Sequence, residues 1–203
     1  MKSKKTLILF FALAMVATAC SSAAVPCDEV EITTGENGLP DLDGCEFTFA
    51  VENAYLPFNY IDAETGEAMG WDYDVFNYMG ELMNFTPVYV PTAWDGMIQA
   101  TADGQFMIAG DGITITAERD EIVDFSNGYI NLAQRVLVAS GNTEITSLQD
   151  LIDGDYTVAT QKGTTNYEFA VSALGEDKVQ AFDDFNFAIQ AVISGDADAS
   201  IID

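Results

Sequence analysis

The feature that most constrains this chain is a rhythm, heard twice, of short period-two apolar runs followed by longer stretches at helical spacing. Phe47, Phe49 and Val51 alternate with Thr48 and Ala50, which predicts a strand ending at Glu52. After a turn at residues 63–66, Val75, Phe76, Met79, Leu82 and Met83 share one face of a helix that Asp72 is expected to cap. Residues 85–90 read as the next strand, residues 94–98 open another helix, and residues 106–109 form a third strand. The beat resumes with a strand at 156–160, a helix carrying Tyr167, Ala170, Val171 and Leu174, and a strand at 179–182. A helix with Phe185, Ala188, Ile189, Val192 and Ile193 inward follows, closed by Gly195, and residues 199–203 form the last strand. Two such blocks predict two α/β lobes with a cleft between them. In open α/β sheets ligands sit outside the carboxyl ends of the strands, so strand ends are where a site is expected.

Charge decides which chemistries remain. Seven Lys plus Arg face 33 Asp plus Glu, for a formal net charge of −26, and Lys2, Lys4 and Lys5 sit at the extreme N-terminus. A nucleic-acid partner is excluded, because phosphate contacts need a basic face. The chain has no histidine, which removes histidine triads, histidine metal sites and the usual pH switch. Beyond the N-terminus only Arg119, Arg135, Lys162 and Lys178 are cationic. The first three fall in or beside two stretches with the chemistry of an anion site. Residues 111–138 (DGITITAERDEIVDFSNGYINLAQRVLV) offer a glycine for close backbone approach, a threonine hydroxyl and the planar fork of Arg119, which grips a carboxylate with two parallel bonds. Residues 161–165 (QKGTT) lead into a helix whose N-terminal N–H groups and two hydroxyls suit an anion. A surface arginine and an ordinary helix cap are the plain alternatives.

These motifs resemble a known family. DGITITAER followed by VDFS and an extended apolar run is similar to the extracytoplasmic solute-binding proteins of polar amino-acid ABC transporters (the bacterial family 3 type). ENAYLPFNY resembles the family's first ligand loop, GWDYDV the start of its first helix, WDGMI its second, SLQDL the opening of its second lobe and the GTT of residues 163–165 its second-lobe loop. The resemblance covers nearly everything after Gly44 and implies a two-lobed periplasmic-binding-protein-like fold of the class II type. It further implies that Arg119 holds the ligand carboxylate with backbone donors from Gly112 and Thr114, and that Thr165 and Thr164 add bonds from the other lobe. Asp203 would pair with the ligand ammonium, Trp94 would stack on the ligand, and Glu52 and Tyr55 would touch its side chain. Each has a plainer reading: an exposed acid for Glu52, an aromatic on a proline for Tyr55, a lid on the core for Trp94. Two departures stand out. Met107 replaces an acid that relatives carry, and Asp111 stands where many have a small residue, adding negative charge to the pocket wall.

The implied protein is a monomeric receptor, not an enzyme, that needs no cofactor or metal and delivers an amino acid to an ABC transporter permease. A cyclohexadienyl dehydratase-like enzyme on the same fold, or a ligand-sensing module, are the alternatives. Residues 1–20 read as an export signal in which Ala17-Thr18-Ala19-Cys20 resembles a lipobox, so that Cys20 would carry a lipid anchor at the outer face of the cytoplasmic membrane or in the periplasm. An ordinary cleaved signal with an incidental cysteine is the alternative. Residues 21–45 are expected to be a tether, 46–139 the first lobe and 140–203 the second, with a hinge crossing near Ser140. Cys27 and Cys45 either form a disulfide or remain free thiols. Proteins of this family cross back to the first lobe after the ammonium-binding aspartate, so the sequence is expected to be truncated at its C-terminus, the return crossing being absent.

Overall fold

The computed structural model describes residues 25–203; the leader, Cys20 included, lies outside the described residues. The expected tether is, from residue 25 onward, packed onto the first lobe. A 3-10 turn (Cys27–Glu29) precedes a small antiparallel hairpin of β1 (Thr33–Thr34) and β2 (Pro40–Asp41). Cys27 and Cys45 are joined in a disulfide with their Cα atoms 5.0 Å apart. Cys27, Leu42 and Cys45 are buried against Phe49 and Phe85. Glycine and acid dominate this stretch, but two cysteines and one leucine give it enough apolar surface to dock.

The first lobe is a parallel three-stranded sheet. β3 (Cys45–Val51) leads through the short strands β4 (Ala54–Tyr55), β5 (Asn59–Ile61) and β6 (Ala68–Met69), an antiparallel meander, into α1 (Trp71–Met83). β7 (Phe85–Pro91), α2 (Met97–Ala102), β8 (Ile108–Ala109) and the single turn α3 (Ala117–Asp120) follow, and the sheet order is β7-β3-β8. The α1 stripe supplies Phe76, stacked on Phe49 at 4.3 Å, and Met79 and Met83 pack on the same cluster, as the helical spacing predicts. Met107 packs there too, which accounts for an apolar residue at that position. Asp72 does not cap α1. Gly70 holds the N-cap position at φ 130°, a conformation open to glycine, while Asp72 is fully buried in the first turn and accepts a hydrogen bond from Asn59 at 2.8 Å.

The second sheet corrects the expected boundary. β9 (Arg135–Val138), assigned to the first lobe by the sequence, runs antiparallel to the last strand, with Ala199 opposite Val138 and Ile202 opposite Arg135. Residues 140–143 are therefore a turn inside the second lobe, closed by Asn142 N–H to the Ala139 carbonyl at 3.0 Å, and not the crossing. The crossing lies in residues 121–134, which hold no helix or strand. Composition marked the turn correctly but cannot say which sheet edge an adjacent strand will join. α4 (Leu148–Asp153), β10 (Val158–Gln161), α5 (Thr165–Leu174), β11 (Val179–Phe182), α6 (Phe185–Ser194) and β12 (Ala199–Ile202) complete the lobe, with sheet order β11-β10-β12-β9. β10 is buried on both faces. Val158 packs with Leu151, Ala170 and Ile201 on one side, and Ala159 with Ala188, Ala191 and Val192 on the other.

Replacing Cys27 and Cys45 together with serine is expected to leave the fold intact but lower unfolding stability by about 3 kcal/mol, the chain-entropy value for a loop of this size. Urea unfolding of the variant checks this, and an unchanged midpoint would contradict it.

Candidate functional site

The strand ends of both lobes converge. From the first lobe come Glu52 and Tyr55 after β3, Trp94 after β7, and Asp111, Gly112, Thr114 and Arg119 after β8. From the second come Gln161, Thr164 and Thr165 after β10, and Asp203 after β12. All nine residues singled out in the sequence line one cavity, together with Asp111, Ile113, Gln161, Asn166 and Phe185. The cleft is narrow: about 30 Å³ is open to the centre of a water molecule.

Direct bonds hold the lobes together across it. The Tyr55 hydroxyl donates to Asp203 Oδ2 at 2.7 Å, and Gln161 Nε2 donates to Glu52 Oε1 at 2.6 Å. Trp94 Nε1 donates to the Gly163 carbonyl at 3.1 Å. At the exposed rim Lys162 pairs with Asp95 of the first lobe at 3.1 Å and Asp183 of its own at 2.8 Å.

Arg119 is the electrostatic centre of this arrangement. Its guanidinium donates to the carbonyls of Thr114 at 2.9 Å and Gly163 at 3.3 Å and lies 5.1 Å from the centroid of the Trp94 ring. The residue is only 9% exposed, and no carboxylate among the described residues is within ion-pairing distance of it. Burial lowers its pKa, opposed by the more distant charges of Glu168 and Glu118. A buried cation satisfied only by neutral carbonyls and a ring face is a strong attractor for an anion.

The remaining residues divide by how much of their chemistry is already committed. Gly112 has φ 58°, and a Cβ there would come within 2.7 Å of the Tyr55 ring, so this glycine is required both by the backbone and by the aromatic wall. Thr164 is the cap of α5: its hydroxyl donates to the Gln161 carbonyl at 2.7 Å and accepts from the Tyr167 N–H at 3.1 Å. It can therefore meet a ligand only through its remaining lone pair. Thr165 Oγ accepts from Gln134 at 3.3 Å and keeps its own proton for other use. Asp203 Oδ1 accepts from Asn166 at 3.2 Å, so Tyr55 and Asn166 orient its carboxylate from opposite lobes. Sequence reasoning did not single out Ile113, Gln161, Asn166 or Phe185. Gln161 was legible in principle as the residue that ends a buried strand before the GTT loop.

Asp111 behaves differently from its sequence reading. It is 4% exposed, and its Oδ1 accepts from Asn59 Nδ2 at 2.6 Å and from the Glu52 N–H at 3.2 Å. Burial, with the Glu52 charge adding to it, pushes its carboxyl up to about 8. It is therefore mostly neutral at pH 7, and the negative charge expected on the pocket wall is largely absent. Glu52 is pushed up to about 7, first by burial and then by Asp184, against the lowering effect of the Gln161 hydrogen bond. Burial also raises Asp72, whose Oδ1 finds no partner.

Residues 47–201 match the family model of the bacterial extracellular solute-binding proteins, family 3. The chain belongs to that family. A probable histidine-binding protein of Neisseria gonorrhoeae is 31% identical over 79% of this chain and 59% of its own length. A cyclohexadienyl dehydratase of Pseudomonas aeruginosa is 29% identical over 76% of this chain and 58% of its own. The chain thus spans less than two thirds of the length of these family members. The crystal structure of an ancestral amino-acid-binding protein, described as a precursor of cyclohexadienyl dehydratase, superposes with a TM-score of 0.73 at 36% identity, covering 78% of this chain and 70% of that one. Together these matches confirm the two-lobed α/β fold of the family.

The raised Asp111 pKa carries a stability consequence. Relative to its ordinary value of 3.8, the buried group contributes stability that is fully present below about pH 4 and is lost as pH rises toward 8. Asp41, Asp62 and Asp150 are lowered, chiefly by the N–H groups of Asp43, Thr65 and Thr146, and act oppositely, losing their contribution only in acid. Asp111→Asn keeps the acceptor oxygen and removes the proton. It is expected to flatten the decline in melting temperature between about pH 5 and 8 and to stabilise the protein near pH 8 by roughly a few kcal/mol. Thermal melts across that range check it, and a variant that declines in parallel with the parent would refute it.

Proposed function

We propose that the cleft captures a free amino acid and that the protein presents it to an ABC importer as a monomeric, exported receptor, with Cys20 as the lipid attachment point. The observation that carries the binding reading is Arg119, a buried guanidinium without a carboxylate partner among the described residues, lining the same cavity as Asp203. The α-carboxylate would take the fork of Arg119 with the N–H groups of Gly112 and Thr114. The α-ammonium would meet Asp203, and Thr165 would add a bond from the second lobe. Trp94 and Tyr55 would wall the ligand, Glu52 would reach its side chain, and Thr164 would hold the loop while offering one lone pair. Because each lobe holds one of the two charge partners, ligand stabilises the approach of the lobes, which is hinge closure of the kind seen in periplasmic binding proteins.

One observation favours a second reading. Glu52 is held near neutrality inside a closed cleft, as a general acid would be, and a relative carries the name of a dehydratase. Incubation with prephenate or arogenate, followed by mass spectrometry, separates the two: the receptor reading expects no turnover.

Arg119→Ala is expected to abolish amino-acid binding, a loss of several kcal/mol, with the melting profile retained. Arg119→Lys should rescue poorly because an ammonium lacks the fork. Calorimetric affinity close to the parent's in Arg119→Ala would exclude the assignment.

A further inference from the structure

We infer that Asn127 is a site of covalent self-modification, deamidating to aspartate and isoaspartate in the folded protein, and that the fold protects the other Asn-Gly pair, Asn37-Gly38, from the same reaction. The sequence holds both pairs, and nothing in the dipeptide itself separates them. The reaction is intramolecular: the backbone nitrogen of the following residue attacks the asparagine side-chain carbon. It therefore needs a side chain free to turn, an amide N–H without a partner, and little bulk on the attacking residue. Glycine meets the last condition at both positions because it has no Cβ. Structure decides the other two.

Asn37 fails both. Its Nδ2 donates to the Leu82 carbonyl at 2.7 Å, and its Oδ1 accepts from the Leu39 N–H at 3.0 Å. The Gly38 N–H, the group that would attack, donates to the Gly35 carbonyl at 3.0 Å. Asn127 meets both. It is exposed and lies in residues 121–134, which hold no helix or strand. Among the described residues neither its side chain nor the Gly128 N–H makes a hydrogen bond, and the Ser126 hydroxyl reaches only the main-chain carbonyl of Asn127, at 3.2 Å. Gly128 is uncrowded as well. A Cβ built there would meet, beyond its chain neighbours, only Ile115 Cδ1 at 3.9 Å, and its backbone lies outside the left-handed region.

Water is the sole co-reactant. A bond forms between the Gly128 nitrogen and Asn127 Cγ, the Cγ–Nδ2 bond breaks, and ammonia leaves carrying the former amide proton. Water then opens the cyclic imide at either of its carbonyls. Opening at one restores the ordinary main chain with an aspartate side chain. Opening at the other routes the main chain through Cβ and Cγ and lengthens it by a methylene. Either product adds a negative charge to the chain. The change falls in the crossing between the lobes, after α3 ends at Asp120 and before Tyr129 stacks on Trp71 at 5.0 Å. Any added length is therefore taken up in the short span between those two points.

The test is incubation of the full chain at mildly alkaline pH, folded and in urea, followed by proteolysis and fragmentation mass spectrometry. Trypsin frees residues 120–135, because Arg119 and Arg135 supply the cleavage points, and fragmentation separates Asn127 from Asn131 within that peptide. In the folded protein Asn127 is expected to deamidate about tenfold or more faster than Asn37, whose hydrogen bonds must first open. In urea the two sites should react at similar rates. Gly128→Ala, for which the structure has room, should keep the parent's melting profile and slow the reaction at Asn127. An Asn127 that stays intact, or that reacts no faster than Asn37 in the folded protein, overturns the inference. An Asn37 that remains slow in urea overturns the fold as its protection. A rate at Asn127 unchanged in Gly128→Ala overturns attack by the Gly128 nitrogen.

Discussion

A single buried guanidinium organises this molecule. In a chain with 33 acids and seven bases, Arg119 is 9% exposed yet among the described residues its guanidinium has only two carbonyls and an aromatic face for partners. Burying a cation is costly unless an anion compensates, and with so many carboxylates available the lack of one beside Arg119 is a property of the local fold. α3 is one turn long, capped by Thr116 through the Arg119 N–H, and it aims the side chain back under Trp94 and toward the Gly163 loop. One of its two acceptors belongs to the first lobe and the other to the second. The buried guanidinium thus bridges the two lobes.

The other cross-lobe bonds follow the same economy. Tyr55 to Asp203, Gln161 to Glu52 and Trp94 to the Gly163 carbonyl all join groups that line the cavity. The contacts that join the lobes are therefore made by the same polar atoms that line the cleft. The Lys162 pair with Asp95 differs: it is solvent-exposed, so it contributes little to holding the lobes and is weakened by salt.

A cavity with this many acids needs a way to remain buried. Here the answer is partial neutralisation, since desolvation keeps Asp111 mostly protonated and raises Glu52 to about 7, and Asn59 donates a hydrogen bond to the buried Asp111 carboxyl. Net charge counted from composition overstates the charge that the cleft actually carries.

The sequence by itself determined the strand and helix rhythm, the family, and nine of the fourteen residues that line the cleft, because strand ends and glycine-bearing loops are written in local pattern. Apolar stripes such as Phe76, Met79 and Met83 pointed where they later packed for the same reason. Only the tertiary structure decided which sheet the run Arg135–Val138 would join, since an edge strand is chosen by a free neighbour and not by its own alternation. It also decided that Leu42 and the Cys27–Cys45 bridge would dock a stretch with a tether's composition. Asp72, a cap by spacing, was drawn inward by Asn59, and Asp111, a charge by residue type, was made mostly neutral by burial. Ionisation and pairing depend on what lies across space, and a one-dimensional pattern holds no record of that.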